Sequence, residues 1–348
     1  MKEKEQYLDK AFKMMSKQES VYQSSSFWEQ ACRDISDNII KNNMDSFRSD
    51  INNLYFFVPT YGYPGNSFSQ EVIKNLLDNV KDNNKNYLAL KKYLNGEILA
   101  RADHDLYKVA NSIHDSLNIS NFSESAYGEP AEHFNINNKL FSRSSLNYLL
   151  GLSFLKSEMP DFIPKSVLEI GGGFGTLGEI INQITSEEIK YIDVDLPPIF
   201  YIAHEYVKNA CNLNQDKIKL SNLDESQKEL LIDDLPQFTF LPSWEIKDLK
   251  GEIDLFVNFI SFQEMEPDIV QNYLNVVTDL NTKVILLRNI KEGKQRATKN
   301  TVGVTSPVTG EDYSRYLPQY DLVGKNISPF GYTTVDNFNS ELLLFKRR

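Results

Sequence analysis

The sequence of 348 residues predicts an α/β protein with a Rossmann-like, doubly wound sheet, preceded by a mostly helical N-terminal domain. Three observations predict this fold. Short apolar strands alternate with helices from about residue 165, a glycine-rich loop directly follows the first strand, and the last two strands have no helix between them. Alternating strands and helices indicate a parallel sheet, and two strands joined without a crossover helix indicate an antiparallel C-terminal hairpin.

The first part of the chain, residues 1–150, is predicted to form a mostly helical domain. This domain is expected to cover the ligand-binding crevice of the second part, residues 151–348. Two helices are predicted from apolar residues at helical spacing: Ile73, Leu76, Leu77 and Val80, then Leu99, Ala102, Leu106, Val109 and Ile113. Prolines and glycines at 56–65 predict an aromatic loop. A second loop is predicted at Tyr127–Pro130, before a helix at about Ser144–Ser157.

The second part contains the elements of the sheet in order. The predicted strands share short apolar runs: Ser166–Ile170, Lys190–Asp195, Phe238–Leu241, Asp254–Phe259, Val284–Arg288, Tyr320–Gly324 and Glu341–Phe345. One helix follows the glycines with an apolar face, and a second is predicted from Pro198 to Val207.

Charge and cysteine content argue against several functions. The formal net charge is -11, with acidic residues scattered along the chain, so nucleic acid is not an expected partner. Cys32 and Cys211 do not indicate a disulfide framework or a zinc site, and no residue spacing predicts another metal. The N-terminus lacks the apolar core of a signal peptide, and no apolar run approaches the roughly 20 residues of a transmembrane segment. A cytoplasmic protein is therefore expected.

The loop Glu169-Ile-Gly-Gly-Gly-Phe-Gly175 has the context of a nucleotide-binding motif, because it follows a predicted strand and opens a helix. Gly171, Gly173 and Gly175 allow sharp turns and close approach of the backbone to a ligand. Asp195 ends the next strand, about 20 residues later, as in such motifs. Its carboxylate is predicted to bind both hydroxyls of a ribose.

Two cofactors fit this loop. Gly173-Phe-Gly175-Thr-Leu-Gly178 matches the fingerprint of dinucleotide-binding proteins, whereas Glu169 followed by three spaced glycines matches class I S-adenosylmethionine-dependent methyltransferases. A carboxylate before the loop suits a cationic ammonium group and would repel a pyrophosphate. The antiparallel end of the sheet also resembles the class I methyltransferase fold. S-adenosylmethionine is the favoured cofactor, and an NAD-dependent sugar-modifying oxidoreductase is the alternative.

Polar residues after the third and fourth strands supply further candidates. Ser243, beside Trp244, is predicted to contribute to an adenine pocket. Glu264 is the first candidate for a general base, with Gln263 or Asn258 orienting the acceptor or the cofactor. The alternative for Glu264 is a helix cap.

His133 is the second candidate for the base, since histidine titrates near neutral pH. It lies between the loop at 127–130 and the helix that leads into the first strand. The alternative is a loop histidine without a chemical role.

A narrower resemblance is carried by Val167-Leu-Glu-Ile-Gly-Gly-Gly-Phe-Gly-Thr-Leu-Gly178, Asp195-Leu-Pro-Pro198 and Asn258-x-x-Ser261-Phe-Gln-Glu-Met265. These segments resemble the bacterial sugar O-methyltransferases of surface-polysaccharide clusters. The resemblance extends to Asp45-Ser-Phe-Arg48, Val58-Pro-Thr60 and Leu287-Arg-Asn289. It implies a sugar hydroxyl as acceptor, in a nucleotide sugar or a growing capsule or lipopolysaccharide glycan.

One departure concerns the base. The Asp-Leu-Pro turn is also similar to that of plant-type small-molecule O-methyltransferases, which place a His-Asp pair where this chain has Gln263 and Glu264. A histidine base is therefore not transferred to that position, and a non-sugar small molecule stays open as acceptor. The sequence also leaves a homodimer open.

The predicted acceptor contacts lie in loops. Tyr61, Tyr63, Tyr127 and Glu129 are candidates because flat aromatic rings pack on sugar faces, and the alternative is that these tyrosines fill an interdomain core. Arg288 and Tyr313 are predicted to line the entrance of the acceptor site from the other side. An arginine there would suit a phosphate-bearing acceptor. A non-enzymatic scaffold is the remaining alternative, although the polar cluster at 258–266 is intact.

Overall fold

The computed structural model describes residues 2–42, 44–50, 70–79, 85–112, 115, 117–184, 188–224, 229–298, 303–333 and 337–348. The aromatic loop predicted at 56–65, with Tyr61 and Tyr63, lies outside the described residues. So do Val80 and Ile113 of the two predicted helices.

The helices, numbered in chain order, are α1 (Lys2–Met15), α2 (Ser26–Asn42), α3 (Gln70–Asp78), α4 (Lys85–Leu94), α5 (Glu97–Ala110), α6 (Arg143–Glu158), α7 (Thr176–Ile184), α8 (Ile199–Ala210), α9 (Pro267–Asp279) and α10 (Gly310–Tyr316). Among the described residues, none of these helices combines the length and the apolar character of a membrane span.

The strands are β1 (Phe134–Ile136), β2 (Lys139–Phe141), β3 (Ser166–Ile170), β4 (Lys190–Asp195), β5 (Ile218–Leu220), β6 (Leu230–Leu231), β7 (Phe238–Pro242), β8 (Leu249–Lys250), β9 (Leu255–Phe259), β10 (Val284–Ile290), β11 (Tyr320–Asn326), β12 (Tyr332–Thr333) and β13 (Asn339–Arg347). The seven predicted strands correspond to β3, β4, β7, β9, β10, β11 and β13. The hairpin of β1 and β2 was not predicted, and neither was the short strand β5, which lies between α8 and β7 in the chain.

The main sheet has the strand order β11-β13-β10-β9-β3-β4-β7-β5. From β10 to β5 neighbouring strands are parallel, whereas β13 is antiparallel to both β10 and β11. The predicted Rossmann-like sheet with an antiparallel C-terminal hairpin is confirmed. The chain adds β4 and β7 on one side of β3 and later adds β9 and β10 on its other side, so the strand order reverses between β3 and β9. In such sheets ligands bind at this point, outside the carboxyl ends of the strands.

Both faces of the sheet are covered, which confirms the doubly wound arrangement. Successive residues of a strand point to opposite faces, so Val167 and Leu168 belong to different apolar cores. Helices α6, α7 and α8 pack into one core, and α1, α9 and α10 pack into the other. The sheet is therefore buried on both faces, which leaves the carboxyl ends of its strands as the place for a ligand.

The N-terminal part is mostly helical, as predicted, and it contributes to both cores. Met14 of α1 lies in one core, and Ile39 of α2 lies in the other. Residue 150 falls inside helix α6, so the chain continues through that position without a linker. The division into residues 1–150 and 151–348 stays a prediction.

Candidate active site

The glycine loop joins β3 to α7 through three residues in the left-handed region. Gly171 has φ +72°, Gly173 +61° and Gly175 +95°. A Cβ atom on Gly171 would lie 2.2 Å from the Ser261 hydroxyl oxygen, and one on Gly175 would lie 2.8 Å from Val207 Cγ2. A Cβ atom on Gly173 would meet nothing within 4 Å. The loop is therefore tightly packed at both ends and borders open space at its centre.

Asp195 faces this loop from the end of β4. Its Oδ2 accepts a hydrogen bond from the Gly173 amide at 3.3 Å, and its Oδ1 accepts one from the Leu196 amide at 2.7 Å. Burial raises the pKa of Asp195 to about 7, and these two amides oppose the rise. The carboxyl group thus lies at the rim of the open space, where the sequence placed a ribose contact.

Glu169 lies beneath the loop rather than in it. The carboxylate is fully buried and accepts hydrogen bonds from the hydroxyls of Tyr148, at 2.7 Å, and Tyr191, at 2.5 Å. Burial raises the pKa of Glu169 to about 7, against the effect of the two hydroxyls. Its predicted interaction with an ammonium group stays a prediction, because the tyrosines already bind both oxygens.

Gly172 and Asp193 complete this acidic layer, and sequence analysis gave neither a role in the site. A Cβ atom on Gly172 would lie 2.5 Å from Asp193 Oδ1 and 2.8 Å from Glu169 Oε2. Burial, together with the charges of Asp195 and Glu169, raises the pKa of Asp193 well above its usual range. Three carboxyl groups therefore lie around or directly beneath the glycine loop.

Asn258 ends up inside the protein, at the junction of β3, β9 and β10. Its amide nitrogen donates to the Ile170 carbonyl at 2.9 Å and the Ser261 hydroxyl at 2.6 Å. Its amide oxygen accepts from the Phe262 amide and the Asn289 side chain. Both donors and both acceptor positions are thus used within the protein. Asn258 therefore fixes the turn after β9, and its predicted contact with the cofactor stays a prediction.

Gln263 has a similar internal role. Its side-chain oxygen accepts from the Ile290 amide at 2.9 Å, and its backbone amide donates to Asn289 Oδ1 at 3.1 Å. The residue is 8% exposed. Gln263 thereby ties the turn after β9 to the end of β10, and orienting an acceptor is not supported by this placement.

Glu264, the first candidate for the base, lies under helix α2 with both oxygens engaged. Oε2 accepts from Trp28 Nε1 at 3.1 Å, and Oε1 pairs with Lys294 Nζ at 2.6 Å. The alternative role as a helix cap is wrong, because Glu266 is the N-cap residue of α9. Glu264 lies close enough to raise the pKa of Asp195, so it belongs to the cofactor side of the site.

His133, the second candidate, directly follows Glu132, which lines a pocket beside the glycine loop. The pocket is lined by Phe174 of that loop and by Arg48, Pro130, Ala131, Glu132, Ser142 and Ser144. His133 Nε2 is buried, and no described residue hydrogen-bonds to it. Burial lowers the pKa of His133; the charge of Glu124 opposes this and that of Arg48 adds to it. A neutral imidazole at this position can accept a proton.

Arg48 is part of the pocket wall. The sequence did not predict this position, although Arg48 belongs to the segment 45–48 that carries the family resemblance. Its guanidinium pairs with buried Glu124 and lies 4.6 Å from the centre of the Phe174 ring. It also donates to the Tyr206 hydroxyl at 3.3 Å. Glu124 in turn accepts from the hydroxyls of Ser142 and Ser145, at 3.0 Å and 2.8 Å. The N-terminal part thus contacts the glycine loop through Arg48 and the Phe174 ring, and the buried ion pair with Glu124 holds the guanidinium in place.

Three other predicted contacts are buried elsewhere. The Ser243 hydroxyl donates to the Tyr22 carbonyl at 2.6 Å, and its predicted contribution to an adenine pocket stays a prediction. Arg288 is fully buried and donates to the carbonyls of Asn147 and Phe330. Tyr313 is 1% exposed and stacks on Phe262. Both side chains are thus buried, and their predicted contact with an acceptor stays a prediction.

Tyr127 and Glu129 lie on the loop that leads into the pocket wall. Tyr127 is half-buried, with its ring centre 6.2 Å from that of Tyr206, whereas Glu129 is exposed. The loop is fixed because the Arg48 amide donates to the Gly128 carbonyl at 2.9 Å. Contact of either side chain with an acceptor stays a prediction. Within the described part of the chain, no group of three or more His, Cys, Asp or Glu side chains could hold a metal.

Comparison with known proteins gives likeness of structure only. No protein-family model matches the chain, and no curated protein matches it. The chain is similar to magnesium protoporphyrin IX methyltransferase from Synechocystis PCC 6803, solved with bound SAH, at a TM-score of 0.39 and 10% identity over 59% of this chain and 84% of that one.

Two further solved structures are similar at the same level. The mitomycin 7-O-methyltransferase MmcR gives a TM-score of 0.36 and 11% identity, covering 59% of this chain and 58% of that chain. TehB from Haemophilus influenzae gives 0.38 and 11%, covering 56% and 61%. The assignment of the fold rests on strand order and direction rather than on these values.

Proposed function

We propose that the chain is an S-adenosylmethionine-dependent methyltransferase. The observation that carries the proposal is the position of the Asp195 carboxylate, 3.3 Å from the Gly173 amide at the edge of the open space beside β3. A carboxylate at this strand end can accept hydrogen bonds from both hydroxyls of a ribose, and the glycine backbone can approach the rest of a nucleoside. When bound, S-adenosylmethionine supplies the methyl group from its sulfonium.

The acidic layer favours this cofactor over NAD. Glu169, Asp193 and Asp195 lie around or beneath the loop, and their raised pKa values reflect burial. The charges of neighbouring carboxylates also raise the pKa values of Asp193 and Glu169. A cationic ligand would lower these pKa values by attraction, whereas a pyrophosphate would add two negative charges to the same region. The carboxylates therefore support a ligand with a sulfonium and an ammonium group.

Methyl transfer to a hydroxyl needs a group that takes the hydroxyl proton, and we assign this role to His133. The alternative, Glu264, forms an ion pair with Lys294 and accepts from Trp28. His133 Nε2 accepts no hydrogen bond from a described residue, and His133 follows Glu132 of the pocket wall in the chain. A base must come within hydrogen-bond distance of the proton that it abstracts, and our assignment requires the acceptor hydroxyl to approach this nitrogen.

We infer a sugar hydroxyl as the acceptor, in a surface polysaccharide or its nucleotide-sugar precursor. The wall of the pocket contains the polar side chains of Ser142, Ser144 and Glu132 beside the ring of Phe174, and Arg48 covers a face of that ring. Polar side chains of this kind can pair with the hydroxyls of a sugar. The resemblance to bacterial sugar O-methyltransferases supports the same acceptor, and a non-sugar small molecule is the alternative.

Mass spectrometry of surface glycans tests this proposal. Glycans and nucleotide sugars are compared between cells with the intact gene and cells that lack it. We expect one sugar residue to lose the mass of a methyl group in the cells without the gene, and the intact gene to restore it. Identical spectra, with a methylated non-sugar metabolite lost instead, would reject the sugar acceptor and leave the methyltransferase activity standing.

A further inference from the structure

The N-terminal segment is fixed to strand ends on both sides of the glycine loop. On one side, the Tyr22 carbonyl accepts a hydrogen bond from Ser243, which directly follows β7. On the other side, Trp28 Nε1 donates to Glu264, which follows β9. Because β3 and β4 lie between β9 and β7 in the sheet, the chain from 22 to 28 crosses the carboxyl ends of the central strands.

Helix α2 continues over the same region. Cys32 is one helical turn beyond Trp28, is fully buried, and feels the charge of Asp195. Ile35 and Ile39 follow on the same face and are buried in the core that contains Phe174. The buried face of α2 therefore runs past Glu264 and Asp195 to the neighbourhood of the glycine loop.

The opposite face of α2 is exposed. Glu29 and Arg33 form an ion pair there at 3.2 Å, with 59% and 60% of their side chains exposed. The glycine loop and Asp195 border the open space beside Gly173. The buried face of α2, with Cys32, lies on the Asp195 side of this space.

We propose that helix α2 is the roof of the cofactor site, with Trp28 and Cys32 on its inner face, and that its N-terminal end must move outward for the cofactor to exchange. This inference rests on the proposed function. Exchange breaks the hydrogen bond between Trp28 and Glu264 and leaves the apolar anchor at Ile35 and Ile39 in place.

The two cysteines provide a direct test. Burial raises the pKa of the Cys32 thiol, so it reacts with iodoacetamide only when α2 opens. The variant Cys211→Ser leaves Cys32 as the single thiol, and Cys32→Ser leaves Cys211, which lies just after α8, as the control. We expect S-adenosylhomocysteine to slow alkylation of Cys32 at least several-fold and to leave Cys211 unchanged.

The outcomes separate this inference from the function on which it rests. If calorimetry shows that S-adenosylhomocysteine binds while the rate at Cys32 stays the same, the roof is rejected and the methyltransferase stands. A Cys32 that never reacts while the ligand exchanges freely also rejects it. If the ligand does not bind at all, the proposed function itself fails.

The Trp28 hydrogen bond gives a second test. Trp28→Phe keeps an aromatic ring but removes the donor to Glu264. Since a hydrogen bond to a charged group contributes roughly 1.5–3 kcal/mol, we expect dissociation of S-adenosylhomocysteine to accelerate about tenfold or more. Glu29→Gln, on the exposed face, is the control and should have the wild-type rate. Equal rates for all three proteins would overturn the proposal.

Discussion

The Oδ2 atom of Asp195 lies 3.3 Å from the backbone nitrogen of Gly173. This contact joins the end of β4 to the centre of the glycine loop, where a Cβ atom would meet no other atom within 4 Å. It brings an acceptor and an accessible backbone to the same opening of the sheet. A nucleoside bound at this opening would therefore contact both residues.

The first prediction concerns the Asp195 carboxylate. Asp195→Asn keeps the size of the side chain but loses one acceptor and the charge, so one ribose hydroxyl loses its partner. Because a hydrogen bond to a charged group contributes roughly 1.5–3 kcal/mol, the affinity for S-adenosylhomocysteine should fall about tenfold to a hundredfold. Calorimetry measures this, with the exposed Asp321→Asn as control. Equal affinities in both variants would contradict the assignment.

The second prediction is a pH dependence of cofactor affinity. The pKa of Asp195 is raised to about 7, so the group holds a proton below that pH and is charged above it. Ribose hydroxyls bind the charged form better, and the affinity for S-adenosylhomocysteine should therefore rise between pH 5.5 and 8. Titrations across this range should show a flatter profile for Asp195→Asn. An unchanged slope would transfer the effect to Glu169, whose pKa is also about 7.

The third prediction separates two glycines of the loop. Both have positive φ, so alanine at either position costs about 1–2 kcal/mol of backbone strain. Gly171→Ala also forces its Cβ against Ser261, whereas Gly173→Ala meets no protein atom. Denaturant unfolding should show the larger loss of stability for Gly171→Ala. Calorimetry should show that Gly173→Ala weakens cofactor binding although the protein remains folded.

The fourth prediction decides between the two bases. The acceptor fraction is isolated from cells that lack the gene, and initial rates of methyl transfer are measured with the purified enzyme. His133→Asn should lower the rate roughly 10²–10⁴-fold, the usual contribution of a general base, without weakening S-adenosylhomocysteine binding. Glu264→Gln should mainly affect cofactor exchange, because Glu264 binds Trp28 and Lys294. A rate lost in Glu264→Gln and kept in His133→Asn would reverse the assignment.

The fifth prediction concerns the buried pair of Arg48 and Glu124. Arg48→Met leaves the Glu124 charge buried without its partner, which should destabilise the protein by about 3–5 kcal/mol. Adding Glu124→Gln to this variant should recover part of the loss. Denaturant unfolding measures both changes. Full additivity of the two single effects would show that the pair is not coupled.

The fold and the cofactor loop were predictable because their signals are local. Strand and helix periodicity in the second half, and the spacing from Gly171 to Asp195, are properties of short segments. The parallel pairing of β3 with β4 follows from these signals, and the structure adds the register, which places Glu169 opposite Asp193.

The rest of the site depends on contacts between distant parts of the chain. Asn258 and Arg288 are polar residues on strands that end at the crevice, yet internal carbonyls bind both of them. Sequence does not show which way such a side chain turns. Nor does it show that Trp28 reaches Glu264, 236 positions away, or that Arg48 supports Phe174. These contacts follow from packing of the N-terminal part on the sheet.

Calorimetric titration of the 348-residue protein with S-adenosylhomocysteine and, separately, with NAD decides which cofactor the glycine loop binds. We expect saturable binding of S-adenosylhomocysteine at one site per chain, weakened in Asp195→Asn, and no binding heat with NAD. Tight binding of NAD without a response to S-adenosylhomocysteine would contradict it and would identify the glycine loop as a dinucleotide site.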